Sequence, residues 1–394
     1  MRCRVSMRKV AIVGVGLTKW GVRQATYKEL VQEAGKALFD DVEGLDKKDV
    51  DSLFVGSALV DRLAFQAYPA PLVAEQLGIE PRRMIMRTEM ACVSGQAAIR
   101  VAYASIAAGL SDVAVVVGAE KMNVPNMAEA QSSMAAVLDR EWDGVNGLNA
   151  PPYFAMVAQR HMHEYGTTAE QMAEVSVKNH EFSATNPTAH FPKAVTREKV
   201  LSSFMVAPPL RLLDCSGITD GAAAVLMTHG DLARTYTDTP VFIEGLGQAS
   251  SGSLVGNLKS LTTWHPLKTA ARDALKMAGI SIHDVDVAET HDCFTISEII
   301  EYEDLGLCEK GKGGRFIEDG QSRIGGALPI NTRGGLLGCG HPLGATGVAQ
   351  AIEVVQQFRA EVTQQRYVGG EWGLCHNLSG NANDHAVMVL HRGG

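Results

Sequence analysis

Apolar residues along this chain fall into short unbroken runs separated by stretches with helical spacing. Lys9 to Leu17 (KVAIVGVGL) is apolar on both faces and reads as a buried strand. Thr26 to Val42 follows as an amphipathic helix, with Thr26 as its N-cap. SLFVGSALV reads as a second strand, and MIMRTEMA as a third that leads into ACVSG and a helix of small residues. Asp112 to Met122 is another buried strand. Strands alternating with helices predict an α/β fold with central sheets.

The second half repeats the pattern. PVFIEGLGQAS reads as a strand, His265 to Ile280 as a helix, VDVAETHD as a strand and FTISEIIEYEDLGL as a helix. GHPLGATGVAQAIEVVQQF opens a further helix, and GLCHNLSG and HAVMVL are closing strands. ALFDDVEGLDKKDVDSLFVG and ALKMAGISIHDVDVAETHD share one order: helix, short acidic loop, DVD, strand. This points to an internal duplication, with chance likeness between two helix–strand units as the alternative. The halves divide as 1–239 and 240–394. From about 120 to 239 the chain is rich in Met, His, Asn and Pro. That stretch reads as an inserted loop domain covering a substrate, or else as an ordinary helical connection.

Composition narrows the function. The chain has 394 residues, more than one simple core accommodates. A formal charge of −8 argues against a nucleic-acid partner, while leaving room for a local basic patch that holds a phosphorylated ligand. The seven cysteines (3, 92, 215, 293, 308, 339 and 375) are odd in number and contain no CxxC pair. Neither a disulfide framework nor a structural zinc site is expected, and most of these thiols should be reduced core residues of a cytoplasmic protein. Apolar runs such as Val113 to Val117 are far shorter than the ~20 residues of a membrane span. MRCRVSM lacks the apolar region of a signal peptide, and the closing HRGG is not a peroxisomal address.

Four segments carry candidate chemistry. In ACVSG, Cys92 stands where a strand gives way to a helix, so backbone N–H groups can stabilise a thiolate and lower its pKa, or hold an oxyanion. A structural cysteine is the alternative. In GGLLGCGHPLGATG, His341 is pinned by glycines and Pro342 at a helix start, the setting of a positioned base. Phosphate binding is the rival there, but the lysine of a P-loop is missing. In ETHDCF, a strand delivers His291, Asp292 and Cys293 into a turn. A metal cluster is the rival, without a standard ligand spacing. GLCHNLSGNAN ends a strand in a small polar loop suited to presenting backbone donors, or is a plain turn.

Taken together, these segments resemble the thiolase superfamily along essentially the whole chain. ACVSG resembles the family's CxS nucleophile motif, GHPLGATG its histidine motif, and HDCF the motif of sterol-carrier-protein-type and archaeal thiolases, where others carry NEAF. LRLLDCSGITDGAAA also looks like a family segment. The resemblance implies two similar α/β halves in a five-layered αβαβα arrangement with a loop domain. It implies an acetyl-CoA C-acetyltransferase that condenses two acetyl-CoA into acetoacetyl-CoA and CoA, or runs the reverse thiolysis. Coenzyme A thioesters are then substrates, and no tightly bound cofactor or metal is expected. A longer-chain 3-ketoacyl-CoA thiolase, a decarboxylating ketosynthase, and an aldolase-type or non-catalytic subunit are the competing readings.

By that resemblance, Cys92 is the nucleophile and His341 its base. Backbone N–H groups of Cys92, Ser379 and Gly380 form one oxyanion hole, and His341 with a water on His291 forms the other. Many thiolases take the second acid/base from a C-terminal CxG motif. Here Asn377 and Ser379 stand in its cysteine and glycine places, so Cys293 is assigned that role, with Cys375 as the alternative. An extended chain from His291 to Cys293 would place both side chains on one face. The resemblance further implies a homodimer or homotetramer, a place in isoprenoid biosynthesis through the mevalonate pathway, and association with hydroxymethylglutaryl-CoA synthase and a zinc-ribbon/OB-fold protein.

Overall fold

The computed structural model describes residues 7–42 and 44–393; Cys3 and most of the N-terminal segment weighed as a signal peptide lie outside them. In the first half, strands β1 (Val10–Leu17), β2 (Ser52–Gly56), β3 (Met84–Thr88) and β4 (Val113–Glu120) are joined by helices α1 (Tyr27–Asp41), α2 (Pro69–Leu77) and α3 (Ser94–Ala107). Thr26 caps α1 in a reciprocal box with Glu29, so the N-cap read from sequence is present. The chain then leaves the sheet for a helical excursion that includes α4 (Ala150–Tyr165), α5 (Ala169–Ser183) and the small hairpin β5 (Met205–Ala207) and β6 (Leu210–Arg211). It returns as β7 (Gly221–His229). The expected insertion of 120–239 is therefore too long at its C-terminal end. GAAAVLMTH is apolar on both faces because it sits between β1 and β4 in the sheet.

The second half runs β8 (Val241–Ser250), α6 (His265–Ala278), β9 (Val287–Glu289), α7 (Thr295–Asp304), α8 (Gly335–Cys339), α9 (Leu343–Arg359), β10 (Trp372–Ser379) and β11 (Asp384–Arg392). The strand order is β3-β2-β4-β7-β1 in the first half and β8-β11-β10-β9 in the second. A single parallel bridge from Ala288 to Ile330 extends the second beyond β9. Neighbour for neighbour the halves correspond. β1 and β8 each pair antiparallel with the last strand of their half, and β2 and β9 lie parallel to β4 and β10. Among the described residues, only Ala11–Phe242 and Ile12–Val241 pair the two halves of the sheet edge to edge.

Alternation along the strands separates three cores. Val13, Leu53, Val55 and Val115 face α1 and α2. Ile12, Phe54, Ala114 and Val116 face the other way, onto α3 and α9, with Val287 and Met388 of the second sheet beyond. Leu374, Val387 and Val389 face α6 and α7. The layers are helix, sheet, helix, sheet, helix, and the central pair α3 and α9 is buried between the sheets. Among the described residues no helix is long and apolar enough to cross a membrane.

One element ends earlier than its pattern suggests. SLFVGSALV is a strand only to Gly56. Beyond it, the hydroxyl of Ser57 and the backbone N–H groups of Ala58 and Leu59 donate to the buried carboxylate of Glu120, at 2.8–3.1 Å. The side chain at the end of β4 takes the hydrogen bonds that a neighbouring strand would have supplied.

Candidate active site

Cys92 lies in a single tight turn, Ala91–Val93, between β3 and α3. Ala91 has φ +46°, a left-handed conformation that costs an L-residue roughly 1–2 kcal/mol. Local hydrogen bonds hold it there. Ala91 N–H donates to Glu89 Oε1 (2.6 Å), Met90 N–H to Ser94 Oγ (2.9 Å), and Ser94 Oγ to the Ala91 carbonyl (2.6 Å). The strained turn aims the thiol away from the sheet and into a cavity of about 540 Å³. Backbone N–H groups of Cys92 and Gly380 point at its sulfur. The thiolate expected from a helix N-terminus is nevertheless not the resting form. Burial, reinforced by the nearby Glu120 and Glu89 carboxylates, pushes the Cys92 thiol up to about 12. A helix terminus contributes a fraction of a charge, and desolvation of a whole thiolate outweighs it here.

His341 precedes α9. Its Nδ1 lies 2.7 Å from Thr346 Oγ1, and that hydroxyl donates its one proton to the Pro342 carbonyl at 3.0 Å. The hydroxyl can then only accept from the ring, so Nδ1 carries the hydrogen and Nε2 presents its lone pair. Nε2 is buried and has no protein partner. Burial lowers the His341 pKa to about 3, so the ring is uncharged. A ring nitrogen of His341, one of His291 and the Cys92 sulfur all lie within 4.8 Å of one another.

His291 is fully buried beside His341, their rings edge to face at 4.8 Å. Neither of its nitrogens makes a full hydrogen bond. Burial first, then His341 and the paired His376 and His385, drives its pKa well down, so this ring is uncharged as well. Cys293 follows through a tight turn rather than an extended step, because its N–H donates to the His291 carbonyl at 2.9 Å. Both side chains still reach the cavity. The turn is set by Asp292, which accepts from Leu336 N–H (2.7 Å), Leu337 N–H (3.1 Å) and Asn179 Nδ2 (2.7 Å). Burial pushes the Cys293 thiol well up, and the Cys92 sulfur adds to the shift.

The remaining assigned residues divide. Gly380 lines the cavity with φ +62°, a backbone suited to glycine, whereas Ser379 ends β10 opposite Asp384 and does not reach the cavity. Cys375 is paired with Met388 and Glu289 in the sheet, fully buried, and packed among the core residues around α3 and α9. Asn377 donates to Gln350 Oε1 at 2.9 Å. Six of the seven cysteines are described, and all six are free thiols.

Sequence reasoning missed the residues that hold the loops together. Ser216 N–H donates to the Cys293 carbonyl (2.9 Å), and His341 N–H donates to the Gly217 carbonyl (3.2 Å). The DCSG segment thus ties the Cys293 and His341 loops together through its backbone. Glu120 Oε2 accepts from Gly344 N–H at 3.0 Å, fixing the start of α9 to the first half. Phe154 on α4 stacks on Phe294 at 4.6 Å and closes the cavity from the excursion. The unbroken run LRLLDCSGITDG was the one available signal.

Two thiols and two uncharged imidazoles around one apolar cavity, on a duplicated α/β scaffold, define a site fit for covalent acyl transfer. The chain belongs to the thiolase family. Residues 10–231 match the thiolase N-terminal domain and residues 247–392 the thiolase C-terminal domain-like family. An acetyl-CoA acetyltransferase of Methanothermobacter thermautotrophicus is 43% identical over 98% of this chain and all of the relative. One from Methanocaldococcus jannaschii is 38% identical over 98% of this chain and 99% of the relative. Among solved structures, the Ltp2-ChsH2(DUF35) aldolase superposes with a TM-score of 0.84 at 27% identity, covering 98% of each chain.

Proposed function

We propose that this protein is an acetyl-CoA C-acetyltransferase, interconverting two acetyl-CoA with acetoacetyl-CoA and free CoA. The convergence of Cys92, His291 and His341 within 4.8 Å, at the cavity that Cys293 also lines, carries the reading. The full-length likeness to acetyl-CoA acetyltransferases supports the substrate.

Proton accounting assigns the roles. All four groups rest uncharged, so charge appears only in pairs. His341 Nε2 takes the Cys92 proton as the sulfur attacks the thioester carbonyl. The carbonyl oxygen becomes an anion held by the N–H groups of Cys92 and Gly380, a donor being typically worth roughly 3 kcal/mol. The C–S bond to CoA breaks, and the departing thiolate takes the proton of Cys293 to leave as free CoA. This leaves acetyl-Cys92, a Cys293 thiolate and a His341 imidazolium. The Cys293 thiolate removes a Cα proton from a second acetyl-CoA, whose enolate oxygen rests on His341 Nε2–H and a water held by His291. The enolate carbon attacks the acetyl group, and the expelled Cys92 sulfur regains its proton from His341. The Cys92 sulfur adds to the upward shift of Cys293, so a thiolate on one disfavours a thiolate on the other and the two carry the charge in turn.

The same reading includes a homo-oligomer, a cytoplasmic location and, for the synthetic direction in the mevalonate pathway, a product-consuming synthase with a zinc-ribbon/OB-fold adaptor. The open edge of β3 is an unpaired strand that a second chain could extend. A panel of 3-ketoacyl-CoA substrates tests the function. Acetoacetyl-CoA should show the highest kcat/KM in thiolysis. A preference for longer chains would move the protein to the long-chain thiolases, and carbon–carbon cleavage without CoA would move it to the aldolases.

A further inference from the structure

The donors around the cavity also make a binding site of a different kind. Cys92 comes from the turn after β3, His291 from the turn after β9, and His341 from the loop before α9. Their ligand atoms lie within 4.8 Å of one another without a hydrogen bond among them. His341 Nε2 is buried with its lone pair free, and its other nitrogen is fixed on Thr346, the arrangement that orients a metal-binding histidine. The Asn377 side chain lies near the fully buried His291 ring, but neither ring nitrogen makes a hydrogen bond of full geometry to the protein. Imidazoles left unsatisfied in an interior are uncommon and call for a ligand.

We propose that Cys92 Sγ, one ring nitrogen of His291 and Nε2 of His341 bind a borderline divalent cation, Zn²⁺ first, which holds the enzyme in a reversibly blocked state. A tetrahedral zinc with bonds of about 2.0 to 2.3 Å needs donors about 3.4 to 3.6 Å apart. Reaching that spacing from 4.8 Å is a closure of at most about 1.2 to 1.4 Å between any two donors. One sulfur and two nitrogens, with no carboxylate among them, select zinc, cobalt or cadmium over magnesium and calcium. The cavity leaves the fourth position open to water. Glu120 and Glu89, whose field acts on Cys92, favour a cation at this point. The cation takes no part in acyl transfer. It occupies the sulfur that acylation requires, and a chelator releases it. The ligands come from three separate loops, which is why no zinc spacing is present along the sequence.

Cobalt reports the site independently of activity. Co²⁺ added to the metal-free, reduced full-length protein should give one equivalent of tetrahedral visible bands with a thiolate-to-cobalt band in the near ultraviolet. Cys92→Ala should abolish the near-ultraviolet band, and His291→Ala should weaken binding at least about tenfold. Cys293→Ser should leave the bands in place. Alkylating Cys92 in the folded wild-type protein with iodoacetamide, checked by peptide mapping, should remove the band without any substitution. Zn²⁺ added first should protect Cys92 from that alkylation, and EDTA should restore both alkylation and activity. An octahedral spectrum, or a thiolate band that survives loss or alkylation of Cys92, would overturn the proposal.

Discussion

Cys92 and His341 occupy equivalent places in the two halves of the molecule. Each immediately precedes the buried helix of its half, α3 or α9, and those helices meet backbone to backbone. A Cβ on Gly95 of α3 would lie 2.4 Å from the Gly344 carbonyl, and one on Gly344 would lie 2.4 Å from the Gly56 carbonyl. Neither clash can be relieved by turning a side chain. Gly344→Ala should therefore cost about 1–3 kcal/mol in stability and reduce kcat by shifting His341. Denaturant unfolding and steady-state kinetics check this; a substitution neutral in both would show that the start of α9 is not in close contact with the end of β2.

The hydroxyl of Thr346 decides which nitrogen of His341 faces the cavity with a free lone pair. Thr346→Val keeps the shape and removes the acceptor, leaving a buried N–H unsatisfied at about 1–3 kcal/mol and freeing the tautomer. The expected loss in kcat is on the order of a hundredfold, the lower range for a positioned general base, with KM little changed. Thr346→Ser should recover most of the rate. If the valine variant turned over normally, the hydroxyl would have no part in orienting the ring.

Reactivity of Cys92 toward iodoacetamide should report its protonation state. A thiol raised to about 12 is protonated throughout the neutral range, and His341, lowered to about 3, offers no imidazolium to hold a thiolate. The alkylation rate should climb about tenfold per pH unit from pH 6 to 9 as the thiolate fraction grows. A plateau across that range would reveal a standing thiolate–imidazolium pair instead.

Cys293 and Cys375 separate by mutation. Cys293→Ala should still accept an acetyl group on Cys92 but lose condensation and exchange of the acetyl Cα protons. Cys375→Ala removes a buried sulfur outside the cavity and should keep most activity while costing about 1 kcal/mol or more in stability. Reversed phenotypes would place the second base in the C-terminal strand.

Much of this architecture was legible because strands buried on both faces leave unbroken apolar runs. β1 and β4 are of that kind, and the matching DVD units point to the duplication, whereas β7, equally apolar, is hidden in sequence by the Met-, His-, Asn- and Pro-rich stretch before it. Cys92 and His341 stood out because glycine and proline mark the turns that present them. The partners that hold them left no such trace. Thr346 acts on a ring five positions away across a helix start, and Glu120 bonds backbone groups some sixty and two hundred residues distant. Ser216 and Gly217 work through main-chain atoms that any residue would supply. For a related reason the protonation of Cys92 is not legible: local sequence shows the helix that follows, not the depth of burial that raises the thiol.

The most direct measurement is the mass of the enzyme after brief mixing with acetyl-CoA and rapid acid quench. A single acetyl group should appear on the peptide containing Cys92, accumulate in Cys293→Ala, and be absent from Cys92→Ala. Turnover of acetoacetyl-CoA with no acetyl group on Cys92 at any time, or acetylation of another residue at the catalytic rate, would contradict covalent transfer through this thiol.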